Sequence, residues 1–309
     1  MENDSFHRPV LLKETLTYLI TKKDGVYFDG TLGGGGYSKA VLDNIDQSGT
    51  VIATDLDINA INFCKKKFEN EKRIIIVNDS YKNVNTVLRD LGVGKISGAV
   101  LDLGVSSFQL DSRDSGFSYR IDSKFDLRFN KNIGQSASEI LNEFSQKELE
   151  EIVKNFGEEK NYKKIVRAIV EKRNQSPIKT TKQVVELISN LVAVNKVNET
   201  LSRVFQAFRI FVNSELDNLK SFLSDVIDVI ESKGRIVIVS YHSLEDRIVK
   251  DFFNYEALSC VCPREIPVCI CDKKARIKKL HKKVVFPSED EIRINSRARS
   301  AKLRAVEVL

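Results

Sequence analysis

The chain has 309 residues, 42% hydrophobic and 30% charged, so about 150 residues per domain suggests two folding units and argues against global disorder. No apolar run approaches the roughly 18 residues of a membrane span, and the polar start Met1-Glu2-Asn3-Asp4 leads into no signal-peptide core. A soluble cytoplasmic protein is therefore expected. Its formal charge of +6 permits a nucleic-acid partner, and three histidines leave little room for His-based chemistry.

In chain order, Val26 to Asp29 is a short apolar run ending in an acid and feeding a glycine cluster. Five of the fifteen glycines (Gly30, Gly33, Gly34, Gly35, Gly36) lie within seven residues, a concentration that points to close backbone approach. Lys39 to Ile45 reads as the end of a helix, Thr50 to Asp55 as a second strand, and Ile58 to Phe68 as a helix. Arg73 to Val77 and Ser97 to Asp102 supply strands three and four, and Arg235 to Ser240 a fifth. Buried strands alternating with helices predict an α/β fold with a parallel sheet.

About 130 residues separate the fourth and fifth strands, far more than a crossover requires. Helical spacing fills the gap over Ala137 to Asn155, Tyr162 to Lys172, Thr181 to Val194 and Leu201 to Ile230. The expectation is an all-helical domain, residues 110–204, inserted into a discontinuous sheet domain of residues 1–109 and 205–309.

Ligands of open α/β sheets bind beyond the carboxyl ends of the strands, where Asp29, Asp55 and Asp102 stand. Asp55 follows Gly35 by twenty residues, a spacing at which an acid can accept bonds from ribose hydroxyls. A dinucleotide fingerprint fails at its third glycine, because counting from Gly33 gives Gly35 and then Ser38. Asp29, placed to hold an ammonium group, turns the reading from a nicotinamide dehydrogenase to an S-adenosylmethionine (SAM) enzyme. Thr31 departs from that pattern, standing where many such loops have glycine. Asp102 and the polar Ser106, Ser107 and Gln109 after strand four occupy the place of an amino-group acceptor site, without the prolines such motifs often carry.

These segments, with Phe125-Asp126-Leu127-Arg128, Phe205 to Leu216, Ser240 to Lys250 and Arg297 to Arg304, resemble the bacterial MraW/RsmH family of 16S rRNA (cytosine(1402)-N(4))-methyltransferases. The resemblance runs in order along the whole chain, from His7-Arg8-Pro9 onward. It implies a Rossmann-like class I SAM-dependent methyltransferase sheet with an inserted helical domain serving rRNA recognition. The implied partner is 16S rRNA within the small ribosomal subunit; from composition no membrane partner is expected, and a homodimer stays open. Carried over residue by residue, the cofactor positions are Gly35, Gly36, Tyr37, Asp55, Tyr81, Asp102 and Gln109, joined by Asp29 and Gly33 from the loop itself. Tyr81 stands where relatives often have Phe.

Candidate catalytic residues are Asp102, Ser106 and His242, the last beyond strand five; a structural histidine competes with a catalytic one there. Tyr241 can stack on a flipped base. Substrate RNA would meet Arg120, Arg128, Arg209, Arg297 and Arg299, with Arg113, Arg203, Arg293, Arg304 and the Lys160 to Lys164 stretch as further candidates. Cys260-x-Cys262 and Cys269-x-Cys271 suggest a thiolate zinc site; reduced thiols in an apolar loop are the alternative. Two further functions stay open: a non-catalytic RNA-binding assembly factor, and an amino-group methyltransferase acting on DNA or protein.

Overall fold

The computed structural model describes residues 9–106, 109–110, 115–263 and 268–309. Its strands are Val26–Asp29 (β1), Thr50–Thr54 (β2), Ile74–Val77 (β3), Ile96–Asp102 (β4), Ile230–Ser240 (β5), Ile277–Lys279 (β6) and Lys302–Val308 (β7). They form one seven-stranded sheet in the order β3-β2-β1-β4-β5-β7-β6. The first five are parallel, and β7 runs antiparallel to both β5 and β6. The helices are Leu12–Leu19 (α1), Gly36–Leu42 (α2), Ile58–Lys67 (α3), Val84–Asp90 (α4), Ala137–Glu143 (α5), Gln146–Asn155 (α6), Tyr162–Gln175 (α7), Thr181–Ser189 (α8), Val197–Asn213 (α9), Glu215–Val229 (α10), Ser243–Glu256 (α11) and Glu289–Ile294 (α12). Among the described residues no helix is long and apolar enough to cross a membrane.

The strands read as continuous apolar runs because both faces of the sheet are covered. Successive side chains point to opposite faces, so neighbours along a strand enter different cores. Tyr27, Val51, Val100 and Val237 pack with Leu19, Val41, Leu42 and Ile61 of α1, α2 and α3. Phe28, Ile52, Leu101 and Ile238 pack with Leu88, Phe222, Leu223 and Val249 of α4, α10 and α11. The chain goes from β1 outward to β2 and β3, then returns to place β4 on the other side of β1. That reversal is a topological switch point, and ligands of such sheets bind beyond the carboxyl ends of the strands that flank it, here β1 and β4.

The chain divides into two compact units, residues 1–104 with 216–309, and residues 105–215. The second unit takes in residues 205–215, which the sequence assigned to the sheet domain. Phe205, Ala207 and Phe208 of α9 explain the difference, since they are buried in the helical core with Phe125, Leu149, Ile165 and Leu201. Two long predicted helices are each two. Ala137 to Asn155 breaks at Ser145, whose side chain accepts from the Glu148 N–H while Glu148 caps it in return. Leu201 to Ile230 breaks at Ser214, held at φ +50°. The first helix and the last two strands had no sequence expectation.

Candidate active site

The glycine loop is organised by its own hydroxyls. Asp29 ends β1 almost wholly buried, accepting from the Thr31 N–H at 3.1 Å and from Ser38 Oγ at 2.6 Å. Ser38 is the residue that breaks the dinucleotide fingerprint, and a glycine there could not make this bond. Thr31, the other departure, uses its Oγ1 to accept from the Asp102 N–H at 2.7 Å, tying the end of β1 to the end of β4. Both residues position the site, and neither was singled out as doing so from sequence; Ser38 was visible only as a missing glycine. Gly35 sits at φ +72° as the N-cap of α2, and a Cβ there would lie 2.7 Å from the Phe68 ring. At that glycine the close approach is to the protein's own side chains.

Asp55 is half-buried just past β2. One oxygen accepts from the Gly33 N–H at 2.7 Å and the other from the Asp57 N–H at 2.9 Å. Each oxygen keeps a second lone pair for a ligand hydroxyl. Burial pushes the Asp55 carboxyl up to about 6, against the lowering effect of those N–H groups. Asp102 ends β4, and its Oδ1 accepts from the Tyr241 hydroxyl at 2.8 Å. Burial raises it to about 7, the Tyr241 bond pulls the other way, and Asp29 and Glu245 add to the rise. Asp29 is also raised by burial. None of the three carboxylates makes an ion pair among the described residues. Tyr241 is thus a partner of Asp102 through its hydroxyl, a link that residue spacing could not show.

His242 is the N-cap of α11. Its Nδ1 accepts from the Glu245 N–H at 3.4 Å, while Glu245 Oε2 accepts from the backbone of Tyr241 at 2.9 Å. Its Nε2 is buried 3.1 Å from Glu245 Oε1, in a geometry that makes no hydrogen bond. The histidine therefore has a structural occupation, supplied by Glu245, which sequence reading missed. Tyr37 is buried, with its hydroxyl donating to the Val10 carbonyl, so its ring belongs to the core. Tyr81 packs edge-on against Phe222 at 5.7 Å, half-exposed. In the helical unit, Ser106 and Gln109 close on each other: the Ser106 N–H donates to Gln109 Oε1 at 3.0 Å, and the Gln109 N–H to Ser106 Oγ at 3.2 Å. Ser107, Arg113, His7 and Arg8 lie outside the described residues.

The basic candidates separate into two kinds. Arg128 grips both oxygens of Asp126 at 2.8 and 2.9 Å, and Arg209 grips both of Glu215 at 2.8 and 3.0 Å. Burial raises Asp126, but the Arg128 bonds outweigh it and leave the carboxyl below its usual range. These two arginines brace the helical unit, and a guanidinium fork already held by a carboxylate has fewer donors left for the RNA phosphate expected there. Arg203 joins Glu159 and Glu199, and Arg304 joins Asp246. Arg120, Lys160, Lys163, Arg297 and Arg299 are exposed. The four clustered cysteines are free thiols gathered at one point.

Residues 4–309 match the model of the MraW methylase family. The chain belongs to the MraW methylase family. A relative from Caldicellulosiruptor saccharolyticus is 46% identical over 97% of this chain and 98% of its own length. One from Clostridium botulinum is 43% identical, covering 96% and 97%. A third, from Fusobacterium nucleatum, is 39% identical, covering 98% and 97%. Each is named ribosomal RNA small subunit methyltransferase H.

Proposed function

We propose that the protein transfers a methyl group from S-adenosylmethionine to the exocyclic N4 of one cytosine, position 1402 in the usual rRNA numbering. That cytosine lies in the decoding region of 16S rRNA on the small ribosomal subunit. The observation that carries this reading is the trio Asp29, Asp55 and Asp102, raised by burial and unmatched by any cation among the described residues. Such a trio repels a pyrophosphate and attracts a ligand bearing a sulfonium and an ammonium, which favours SAM over a nicotinamide dinucleotide. Family membership and the names of the relatives supply the substrate class.

Bound SAM supplies a methyl group already activated by its positive sulfur, so catalysis is largely alignment. Asp55, its oxygens oriented by Gly33 and Asp57, binds ribose hydroxyls. Asp102 receives the amino group: Tyr241 fixes Oδ1, and Oδ2 accepts no hydrogen bond among the described residues. Cytosine N4 is a weak nucleophile because its lone pair is conjugated with the ring. Asp102 Oδ2 accepts an N4–H bond and then the proton released on methylation, a task suited to a carboxyl near 7. Tyr81 offers an aromatic face to adenine. The helical unit, with exposed Arg120, and the tail, with Arg297 and Arg299, contact RNA phosphates. His242 orders the turn that carries Tyr241.

The test offers labelled SAM separately to small subunits, naked 16S rRNA, DNA and protein, and maps the label by nucleoside digestion. Label in N4-methylcytidine at the stated position is expected. Label confined to DNA, protein or another nucleoside overturns the reading, while SAM binding without transfer favours an assembly factor.

A further inference from the structure

Between α11 and β6 the chain runs for some twenty residues through Cys260, Cys262, Cys269 and Cys271. Among its described residues the large apolar side chains face outward: Val261, Val268 and Ile270 are 44%, 70% and 73% exposed. Long connections of this kind are uncommon in compact domains unless something holds them. Yet the four sulfurs converge, all within 4.8 Å of one another. Cys269 and Cys271 lie 3.5 Å apart, Cys260 and Cys271 3.8 Å, and Cys262 and Cys269 3.9 Å. A disulfide needs about 2.05 Å, so none of these separations is a bonded pair. A tetrahedron with metal–sulfur bonds of about 2.3 Å has edges of about 3.8 Å, close to these three separations.

We propose that Cys260, Cys262, Cys269 and Cys271 bind one zinc ion as a structural tetrathiolate, independent of the methyl-transfer site. Four sulfur ligands leave no open position, which marks a structural site. Soft thiolates select zinc over calcium or magnesium. The backbone is arranged to support negative sulfur: the Val261 N–H donates to Cys271 Sγ at 3.3 Å, the Cys262 N–H to Cys260 Sγ at 3.4 Å, and the Ile270 N–H to Cys262 Sγ at 3.4 Å. Binding releases four thiol protons to solvent and leaves the centre with a charge of −2. The chain leaving the cluster is cationic, through Lys273, Lys274, Lys278 and Lys279. Lys273 fastens that exit to α11, pairing with Glu256 at 3.3 Å and lying 4.8 Å over the Tyr255 ring. The ion thus fastens the loop where its apolar side chains face outward and delivers the chain to β6, the edge strand beside β7.

The experiment measures metal in the full chain, purified under reducing conditions without chelator, and then exchanges the metal for cobalt(II). The expected result is about one zinc per chain and, with cobalt, the sulfur charge-transfer and ligand-field bands of a tetrahedral tetrathiolate. Cys269→Ser with Cys271→Ser should remove both, while Cys64→Ala, in the buried core, should keep both. Far-UV circular dichroism identifies any variant that fails to fold, and the wild-type metal content stands regardless. Protein that is metal-free as isolated and gives no cobalt spectrum overturns the proposal, as does stoichiometric iron or metal retained by the double variant.

Discussion

In the helical unit Glu159 and Glu215 are buried and Asp126 is nearly so, and each meets an arginine: Arg203, Arg209 and Arg128. At the carboxyl edge of the sheet Asp29 is buried and Asp55 and Asp102 are half-buried, and among the described residues their side chains meet backbone N–H groups and the hydroxyls of Ser38 and Tyr241 rather than a cation. The arginine bonds pull Asp126 down, whereas burial drives Asp55 to about 6 and Asp102 to about 7. A paired acid is finished structure. An acid raised by burial with no ion-pair partner among the described residues is suited to receive a positive charge or a proton, and that difference marks the second set as the candidate site.

The contrast breaks most visibly at Asp102. Asp102→Asn should lower kcat by about 10²- to 10⁴-fold with a smaller change in SAM affinity, as expected for loss of a proton acceptor. Single-turnover rates alongside calorimetric SAM titration check this, and unchanged turnover would remove Asp102 from the chemistry. Tyr241→Phe sharpens the point, because losing the bond that lowers Asp102 should move the alkaline-rising limb of the kcat profile upward from about 7. In the helical unit, Arg209→Ala should leave the Glu215 charge buried and cost about 3–5 kcal/mol of stability, read by denaturant unfolding. Replacing both residues by apolar ones of similar size should recover most of the loss.

pH gives a further discriminator. The folded-state values of Asp55 and Asp102 lie above the unfolded value of about 3.9. The native state therefore binds extra protons between about pH 4 and 7, so the stability these groups contribute is present at the acid end and lost as pH rises through that window. SAM affinity should run the opposite way, tightening as the carboxylates ionise; an affinity flat from pH 5.5 to 8 would refute the electrostatic account of the site. His242→Ala should cost about 1 kcal/mol through the lost helix cap. His242→Asn, which can still cap, should regain the stability. If turnover stays low in that variant, the imidazole has a chemical role as well, and a kcat profile separates the two. The smallest effect is expected at the tail, where Arg297→Ala should weaken RNA binding modestly and reduce its salt dependence by about one phosphate contact.

The sequence by itself determined the five parallel strands, the three acids at strand ends and the existence of a long helical insert. Those features are written in local patterns: β-branched runs, glycine clustering and helical spacing repeat at short range and survive any tertiary arrangement. It could not determine who partners whom. Arg128 and Arg209 look identical to Arg120 as letters, and only packing showed that the first two are spent on carboxylates. Tyr241 meets Asp102 across 139 positions, and Thr31 meets it across 71, contacts made by the order in which strands pair. The tertiary structure also decided where the insert ends, because α9 buries Phe205 and Phe208 in the helical core and the chain turns only at Ser214. Side-chain identity sets what a residue can do, and long-range pairing decides which of those options is left open to a ligand.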